Sequence, residues 1–171
     1  MPVFTTIRHE DFVTQVLALA EQIGADGWTP SYLIGIGRGG LVPATFLSHA
    51  TGLPMLSVDY SSQVEEFAGA ALAKLAARTR SGDRLLFVDD INDTGGTIGR
   101  LRAILADQGA VAGTIRFATL LDNCRSSQQV EYRAEAIDRS ITKDWFVFPW
   151  EAVAPPATLA DDAAAVPERT A

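Results

Sequence analysis

Two adjacent carboxylates stand directly in front of a glycine turn in the middle of the chain. Residues 85–97 read LLFVDDINDTGGT, so an apolar run delivers Asp89 and Asp90 at its end. Carboxylate oxygens suit Mg²⁺ or the hydroxyl groups of a sugar. Gly95 and Gly96 allow the backbone to approach an anion closely, and the free N–H groups at a helix start favour phosphate. The same turn carries two hydroxyl donors, Thr94 and Thr97.

A simpler interpretation of this segment is that the acidic pair only caps a helix or shapes a turn. Other phosphate motifs do not fit. No Gly-Lys-Ser/Thr follows, which excludes a Walker loop, and the glycine spacing differs from a dinucleotide fingerprint. The full run of strand, two acids, glycine turn and helix is rarer than its parts. It therefore favours a phosphate-binding turn, with carboxylates for ribose hydroxyls or for magnesium, over a purely structural role.

A second glycine cluster lies earlier in the chain, where residues 34–43 read IGIGRGGLVP. An apolar run again enters glycines and then a helical stretch. Glycine permits close approach of an anion, and Arg38 adds a fixed positive charge. The alternative is a tight turn between strand and helix with an incidental arginine.

Strand-like and helix-like segments alternate around these two clusters. Such alternation predicts right-handed βαβ units and a mostly parallel sheet, whose ligands lie outside the carboxyl ends of the strands. We expect helices at residues 11–23, 41–50, 62–78 and 98–106, and strands at residues 32–36, 55–58, 84–88 and 114–121.

Length and charge restrict the class of protein. A chain of 171 residues fits one domain, and the net charge of -7 argues against a surface that binds nucleic acid. A lone cysteine, Cys124, excludes an internal disulfide. Neither a secretory signal nor an apolar run of about 20 residues is present, so we expect a cytoplasmic protein without membrane contact. Residues 152–171 are rich in alanine and proline, which is typical of a loosely ordered tail.

The segment VDDINDTGGT resembles the signature that binds phosphoribosyl pyrophosphate (PRPP) in type I phosphoribosyltransferases, most closely in those acting on 6-oxopurines. The resemblance covers about residues 30–151. It implies an α/β fold with a mainly parallel five-stranded sheet flanked by helices. The core would span about residues 30–122, and a small hood from the N-terminal segment and residues 123–151 would complete one domain, residues 1–151. It also implies Mg²⁺ as cofactor, PRPP and a nucleobase as substrates, and a homo-oligomer.

The resemblance also implies roles for individual residues. Asp89 and Asp90 would hold the ribose hydroxyls, directly or through magnesium, and Glu151 would help to hold the metal. Arg38 would neutralise the leaving pyrophosphate, next to the backbone of two flanking residues, Gly37 and Gly39. Asp93 would handle the proton of the acceptor nitrogen. The 5′-phosphate would be cradled by Asp93, Thr94, Gly95, Gly96 and Thr97.

The acceptor is less well determined. Residues 145–151 read WFVFPWE, which is either a core strand or the wall on which a base stacks. The resemblance implies Trp145 as the stacking ring and Phe146 as a backbone contact. Asp122 stands where oxopurine enzymes carry a lysine that reads the base, and an ionised carboxylate cannot donate a hydrogen bond. Two cations could replace that lysine, Arg125 and Lys143.

Three functions follow from these observations. The first is purine salvage, in which guanine, xanthine or hypoxanthine receives the phosphoribosyl group and pyrophosphate leaves. The second is the same transfer to adenine, a pyrimidine or an unusual heterocycle, since Asp122 would suit an amino group. The third is a regulator that senses PRPP and binds nucleic acid, which the two lysines and the charge of -7 fit poorly.

Overall fold

The structure, a computed structural model, describes residues 3–60 and 65–165. Strands and helices alternate along most of this length, as the sequence pattern predicts. The strands are β1 (Phe4–Thr6), β2 (Tyr32–Ile36), β3 (Met55–Val58), β4 (Leu85–Asn92), β5 (Ile115–Asn123), β6 (Tyr132–Ile137) and β7 (Trp145–Val147). The helices are α1 (His9–Ala25), α2 (Gly37–Thr51), α3 (Glu65–Arg80), α4 (Gly96–Asp107) and α5 (Pro156–Ala164), with a short 3-10 turn at Pro149–Glu151.

Five strands form one parallel sheet in the order β3-β2-β4-β5-β6. Parallel sheets are covered on both faces, and the first half of β4 is accordingly inaccessible to solvent from Leu85 to Val88. The predicted fold, a mainly parallel five-stranded α/β sheet flanked by helices, is confirmed.

Two apolar clusters fill the space between the sheet and its helices. One joins the sheet to α1 and α2 and includes Phe12 and Leu47. The other joins it to α3 and α4 and includes Leu72 and Leu101. Helices on both faces fix the sheet edge where the glycine clusters lie. No helix in the described ranges is long and apolar enough to cross a membrane.

A second, two-stranded sheet lies apart from the main one. Its strands β1 and β7 are parallel, with Phe4 opposite Trp145 and Thr6 opposite Val147. The backbone N–H of Ile7 extends this ladder by donating to the carbonyl of Val147 at 2.9 Å. The small sheet therefore joins the N-terminal segment to residues that follow β6.

Several elements differ from the sequence prediction. Helix α2 begins at Gly37 instead of near residue 41, and β4 continues through both acids to Asn92. The edge strand β6 was not predicted from the sequence. Most of its residues are not buried, so it shows little of the apolar pattern that indicates a buried strand. The predicted helix at residues 62–78 is present as α3, but its first three positions lie outside the described residues.

The expectation of a loosely ordered tail was wrong for much of residues 152–171. Pro156–Ala164 form α5, in which proline at the first helical position is compatible with helix geometry and alanine has high helix propensity. Ala163 is fully buried, so the helix packs against the rest of the protein. Residues 166–171 lie outside the described part of the chain.

Replacing Gly40 with alanine should destabilise the fold. A Cβ atom there would overlap the carbonyl oxygen of Val88 and lie 3.2 Å from the Cα atom of Asp89. Overpacking of this kind costs about 1–3 kcal/mol, which urea denaturation would measure. Gly24→Ala is the control, because no atom lies within 4 Å of a Cβ at that position. An equal effect of both substitutions would contradict the close contact between α2 and β4.

Candidate active site

The two glycine clusters meet at the carboxyl edge of the sheet because β2 and β4 are neighbouring parallel strands. A cavity of about 670 Å³ lies there. It is bordered on one side by the two strand ends and on the other by the segment from Trp150 to Asp162. Seven residues predicted to bind substrate or metal line this cavity: Gly37, Arg38, Gly39, Asp89, Asp90, Thr97 and Glu151.

The first turn of α2 touches the acidic pair. A Cβ atom on Gly39 would lie 2.8 Å from the carboxyl carbon of Asp90, so a side chain at this position would displace the Asp90 carboxylate. Gly37 has a φ of +53°, in the left-handed region that favours glycine. Helix N-termini carry free N–H groups and a partial positive charge, and Arg38 adds a full one. This end of α2 can therefore bind an anion.

A second helix begins beside the same cavity. Gly95 precedes α4 with a φ of +88°. A Cβ atom there would lie 2.8 Å from both the Gln128 nitrogen and the Ser126 hydroxyl. The carbonyl of Thr94 accepts hydrogen bonds from the backbone and hydroxyl of Ser127, at 3.2 and 2.8 Å. The loop is thus fixed in place, with Thr97 of α4 at the cavity wall.

Asn92 links this loop to the neighbouring strand. Its side-chain nitrogen donates to Asp122 at 2.8 Å and to the carbonyl of Gln128 at 2.7 Å, and its oxygen accepts from Ser126 at 2.9 Å. Asp122 also lies 3.8 Å from Arg133. Asp122 is buried in this network and lines neither the large cavity nor the smaller one beside Asp93. The structure therefore does not bring Asp122 to the predicted base site, because the β4–β5 register places it opposite Asn92.

The large cavity carries an excess of negative charge. Burial raises the pKa of Asp89 well above its usual range, and the charge of neighbouring Asp90 raises it further. Burial also raises the pKa of Glu151, and nearby Asp162 adds to this, while Arg38 and a hydrogen bond from the Phe148 N–H oppose it. An anionic ligand would be repelled by these carboxylates unless it arrived with a cation.

The chemistry of the donors suits Mg²⁺ at the acidic pair. Mg²⁺ is usually held by one or two carboxylates together with substrate phosphates and water. Burial and the charge of Asp90 raise the pKa of Asp89, and a bound cation would relieve the repulsion between the two acids. The predicted set of Asp89, Asp90 and Glu151 is not assembled as a metal site. Within residues 3–60 and 65–165, no three acid, histidine or cysteine side chains are grouped to hold a metal. The carboxylate of Glu151 is instead bonded to the Phe148 N–H at 2.8 Å.

A much smaller cavity of about 40 Å³ brings together the residues predicted for the acceptor. Asp93, Trp145 and Phe146 line it. Arg139, which follows β6, lines it as well, and sequence reasoning missed this residue. Its Nε lies 3.1 Å from both Asp93 oxygens and its Nη2 lies 2.9 Å from one of them. Nothing in the sequence distinguishes Arg139 from the other arginines, since 46 residues separate it from Asp93.

The two cations predicted as replacements for the lysine, Arg125 and Lys143, lie outside the small cavity. The Nε of Arg125 donates to Asp138 at 2.7 Å, and 61% of its side chain is exposed. Arg139 is the cation that reaches Asp93, and both side chains of this pair are nine-tenths buried.

The two helix N-termini and the acidic pair lie together at the edge of a parallel α/β sheet, an arrangement that can bind a phosphorylated ligand. Residues 6–154 match the phosphoribosyl transferase domain family, and the chain belongs to this family of pentosyltransferases.

Solved structures agree with this assignment. A purine phosphoribosyltransferase from Pyrococcus horikoshii is 25% identical, with a TM-score of 0.61 over 86% of this chain and 93% of that one. The Helicobacter pylori xanthine-guanine-hypoxanthine phosphoribosyltransferase is 17% identical, with a TM-score of 0.62 over 87% and 94%. A hypothetical protein from Neisseria gonorrhoeae with bound ppGpp is 21% identical, with a TM-score of 0.69 over 96% and 98%. The last two similarities concern the fold alone.

Asp89→Asn should stabilise the protein at neutral pH. Because the folded state raises the pKa of Asp89, it holds this proton more tightly than the unfolded state does. The wild type therefore loses stability as the pH rises from the ordinary carboxyl pKa of about 4 through the raised folded value. The variant lacks this loss and should gain about 0.5–2 kcal/mol at pH 7, measured by urea denaturation between pH 4.5 and 8. A variant that is less stable than the wild type at pH 7 would contradict the claim that the ionised Asp89 is disfavoured by burial and by the charge of Asp90.

Proposed function

We propose that the protein transfers the 5-phosphoribosyl group of PRPP to a nucleobase with the help of Mg²⁺, releasing pyrophosphate and a nucleoside monophosphate. A 6-oxopurine is the acceptor that we favour, which makes the reaction one of purine salvage. The observation that carries the proposal is the cavity of about 670 Å³ between the N-termini of α2 and α4, with Asp89 and Asp90 on its wall. The purine phosphoribosyltransferase from Pyrococcus horikoshii, 25% identical, supports the choice of a purine.

Each part of PRPP has a complementary region in this arrangement. The 5′-phosphate would fit the turn of residues 93–97, because a helix N-terminus such as that of α4 presents backbone N–H groups to an anion. The ribose hydroxyls fit Asp89 and Asp90. The pyrophosphate fits the first turn of α2, where Arg38 supplies charge. Mg²⁺ bound with the substrate would neutralise the phosphates and allow them to enter a cavity lined by carboxylates.

The reaction breaks the bond between the anomeric carbon and pyrophosphate as the acceptor nitrogen attacks. The sugar develops positive charge and the leaving group develops negative charge, which Arg38 and the α2 N-terminus would stabilise. Holding the sugar at both ends places the anomeric carbon near the acceptor and lowers the entropic cost of reaction. Asp93 would accept a hydrogen bond from the acceptor N–H and assist its deprotonation.

The proposal is tested by measuring pyrophosphate release from PRPP and Mg²⁺ with hypoxanthine, guanine, xanthine, adenine, uracil and orotate. We expect turnover with a 6-oxopurine. Arg38→Gln should lower kcat/KM by about 10²–10³-fold, as loss of a transition-state charge contact does. Arg80→Gln is the control, because this exposed side chain bonds Gln108 and Gly109 carbonyls and lines neither cavity.

Absence of turnover with every base would reject the proposed reaction. Turnover with adenine or a pyrimidine alone would retain phosphoribosyl transfer and reject the 6-oxopurine. Equal losses in the two arginine variants would show that the first turn of α2 does not contact the leaving group.

A further inference from the structure

We propose that Arg139 binds the acceptor base in this protein, and that with Trp145 it selects a heterocycle carrying an oxo group on the same edge as the ring N–H that faces Asp93. This inference rests on the proposed function and adds the residue that determines the acceptor. The expected lysine is absent, and the structure places an arginine from a distant part of the chain against Asp93.

Arg139 is held firmly at this position. Its Nη1 donates to the carbonyl of Asp144 at 2.6 Å and of Thr142 at 3.3 Å. Its guanidinium carbon lies 5.1 Å from the centre of the Phe146 ring. Only 9% of the residue is exposed. Arg139 is therefore a fixed, buried cation between the loop that follows β6 and the end of β4.

The guanidinium keeps one donor free within the described chain. Of its five N–H groups, Nε and one Nη2 N–H face Asp93, and the two on Nη1 face backbone carbonyls. The second N–H of Nη2 has no acceptor among the described residues. A charged buried donor without a partner is costly, so an incoming acceptor atom at this point would be bound favourably.

Trp145 offers a second and independent donor at the same cavity. Its indole N–H is buried and has no hydrogen-bond partner among the described residues, and Trp145 lines the cavity with Arg139 and Asp93. An unpaired buried donor costs about 1–3 kcal/mol, and such groups in a folded protein call for an explanation. A ligand oxygen would satisfy this donor.

The residues that line the cavity therefore supply two donors and one acceptor. Asp93 can accept from a ring N–H, and Arg139 and Trp145 can donate to an oxo oxygen next to it. A 6-oxopurine carries this pair of groups along one edge. Adenine places an amino group where the oxygen would be, and its N–H donors would face the donors of the protein. Sites built around buried hydrogen bonds discriminate strongly against such a mismatch.

The base can enter only if this region opens. The cavity measures about 40 Å³, far below the ~300–1,000 Å³ of typical ligand pockets. Residues 138–144 are tied to Asp93 through Arg139, because its Nη1 bonds their backbone. Movement of this loop would carry Arg139 with it, so base entry and base recognition would involve the same side chain.

The test compares binding of three probes by calorimetry: inosine 5′-monophosphate, adenosine 5′-monophosphate and ribose 5-phosphate. The wild type should bind the inosine nucleotide more tightly than the adenosine nucleotide. Arg139→Gln should weaken the inosine nucleotide about 10–100-fold, as loss of a charged hydrogen bond does, and change ribose 5-phosphate by less than about threefold. Arg139→Lys should recover part of the loss because it restores a charged donor.

Arg116→Gln is the matched control. Like Arg139, this arginine pairs with an aspartate, Asp26 at 2.5 Å, and lies over an aromatic ring, Trp28 at 4.6 Å. It lies near the start of β5, at the opposite edge of the sheet from the cavities. The control should leave the ratio of inosine to adenosine nucleotide affinity unchanged.

A second variant keeps the inference testable if Arg139→Gln does not fold, since breaking a buried ion pair is strongly destabilising. Trp145→Phe removes an N–H that has no partner within residues 3–60 and 65–165, so a purely structural role of Trp145 predicts that no hydrogen bond is lost. We expect it to lower the inosine to adenosine affinity ratio. A purely stacking role would weaken both nucleotides equally.

Equal weakening of all three probes in the Arg139 variants, an unchanged ratio, or tighter binding of the adenosine nucleotide by the wild type would overturn the inference. Failure of the proposed function shows separately, as an absence of pyrophosphate release by the wild type with every base. The binding ratios do not depend on turnover, so the two failures are distinguishable.

Discussion

The close contact between the first turn of α2 and the end of β4 is the constraint on which the site depends. Gly40 leaves no room for a side chain against the backbone of Val88 and Asp89, and Gly39 lies directly against the Asp90 carboxylate. The partial positive charge of a helix N-terminus is thereby held against two carboxylates at the edge of the sheet. A phosphorylated ligand bound with a divalent cation would match both signs of charge in this region.

This arrangement is unfavourable for the empty protein. Burial and the neighbouring charge of Asp90 raise the pKa of Asp89, which means that the ionised form is disfavoured in the folded state. The apolar half of β4, from Leu85 to Val88, is fully buried directly before the acids and stabilises the strand that carries them. One strand therefore contains both the apolar residues that stabilise the fold and the acids that would bind a charged ligand. The acids lower the stability, as is common at functional sites.

The second buried charge pair has a different consequence. Asp93 and Arg139 neutralise each other inside a cavity too small for a base. Arg139 fixes the orientation of the Asp93 carboxylate, and through its backbone contacts it connects Asp93 to residues 138–144. The small cavity shares no lining residue with the large one, so different side chains would serve the two halves of the proposed reaction.

Local patterns explain which parts of the site were predictable. The strand, acidic pair and glycine turn are contiguous, so the sequence alone identified Asp89, Asp90 and Thr97 at the large cavity, but not the wall formed by the segment from Val153 to Asp162. Arg139 was missed because its contact with Asp93 spans 46 residues and depends on the path of the loop after β6. Asp122 was placed at the base site by counting along the chain, whereas the register of β5 against β4 decides its position. The α5 helix was not predicted, because its alanine-rich composition is also typical of a loosely ordered tail.

Calorimetric titration of PRPP in the absence of any base would show most directly whether the cavity between α2 and α4 binds PRPP with Mg²⁺. We predict saturable binding with one PRPP per chain when Mg²⁺ is present, and much weaker binding when the metal is chelated, because the wall carboxylates then repel the phosphates. Absence of PRPP binding with Mg²⁺, in protein shown to be folded by circular dichroism, would contradict this prediction.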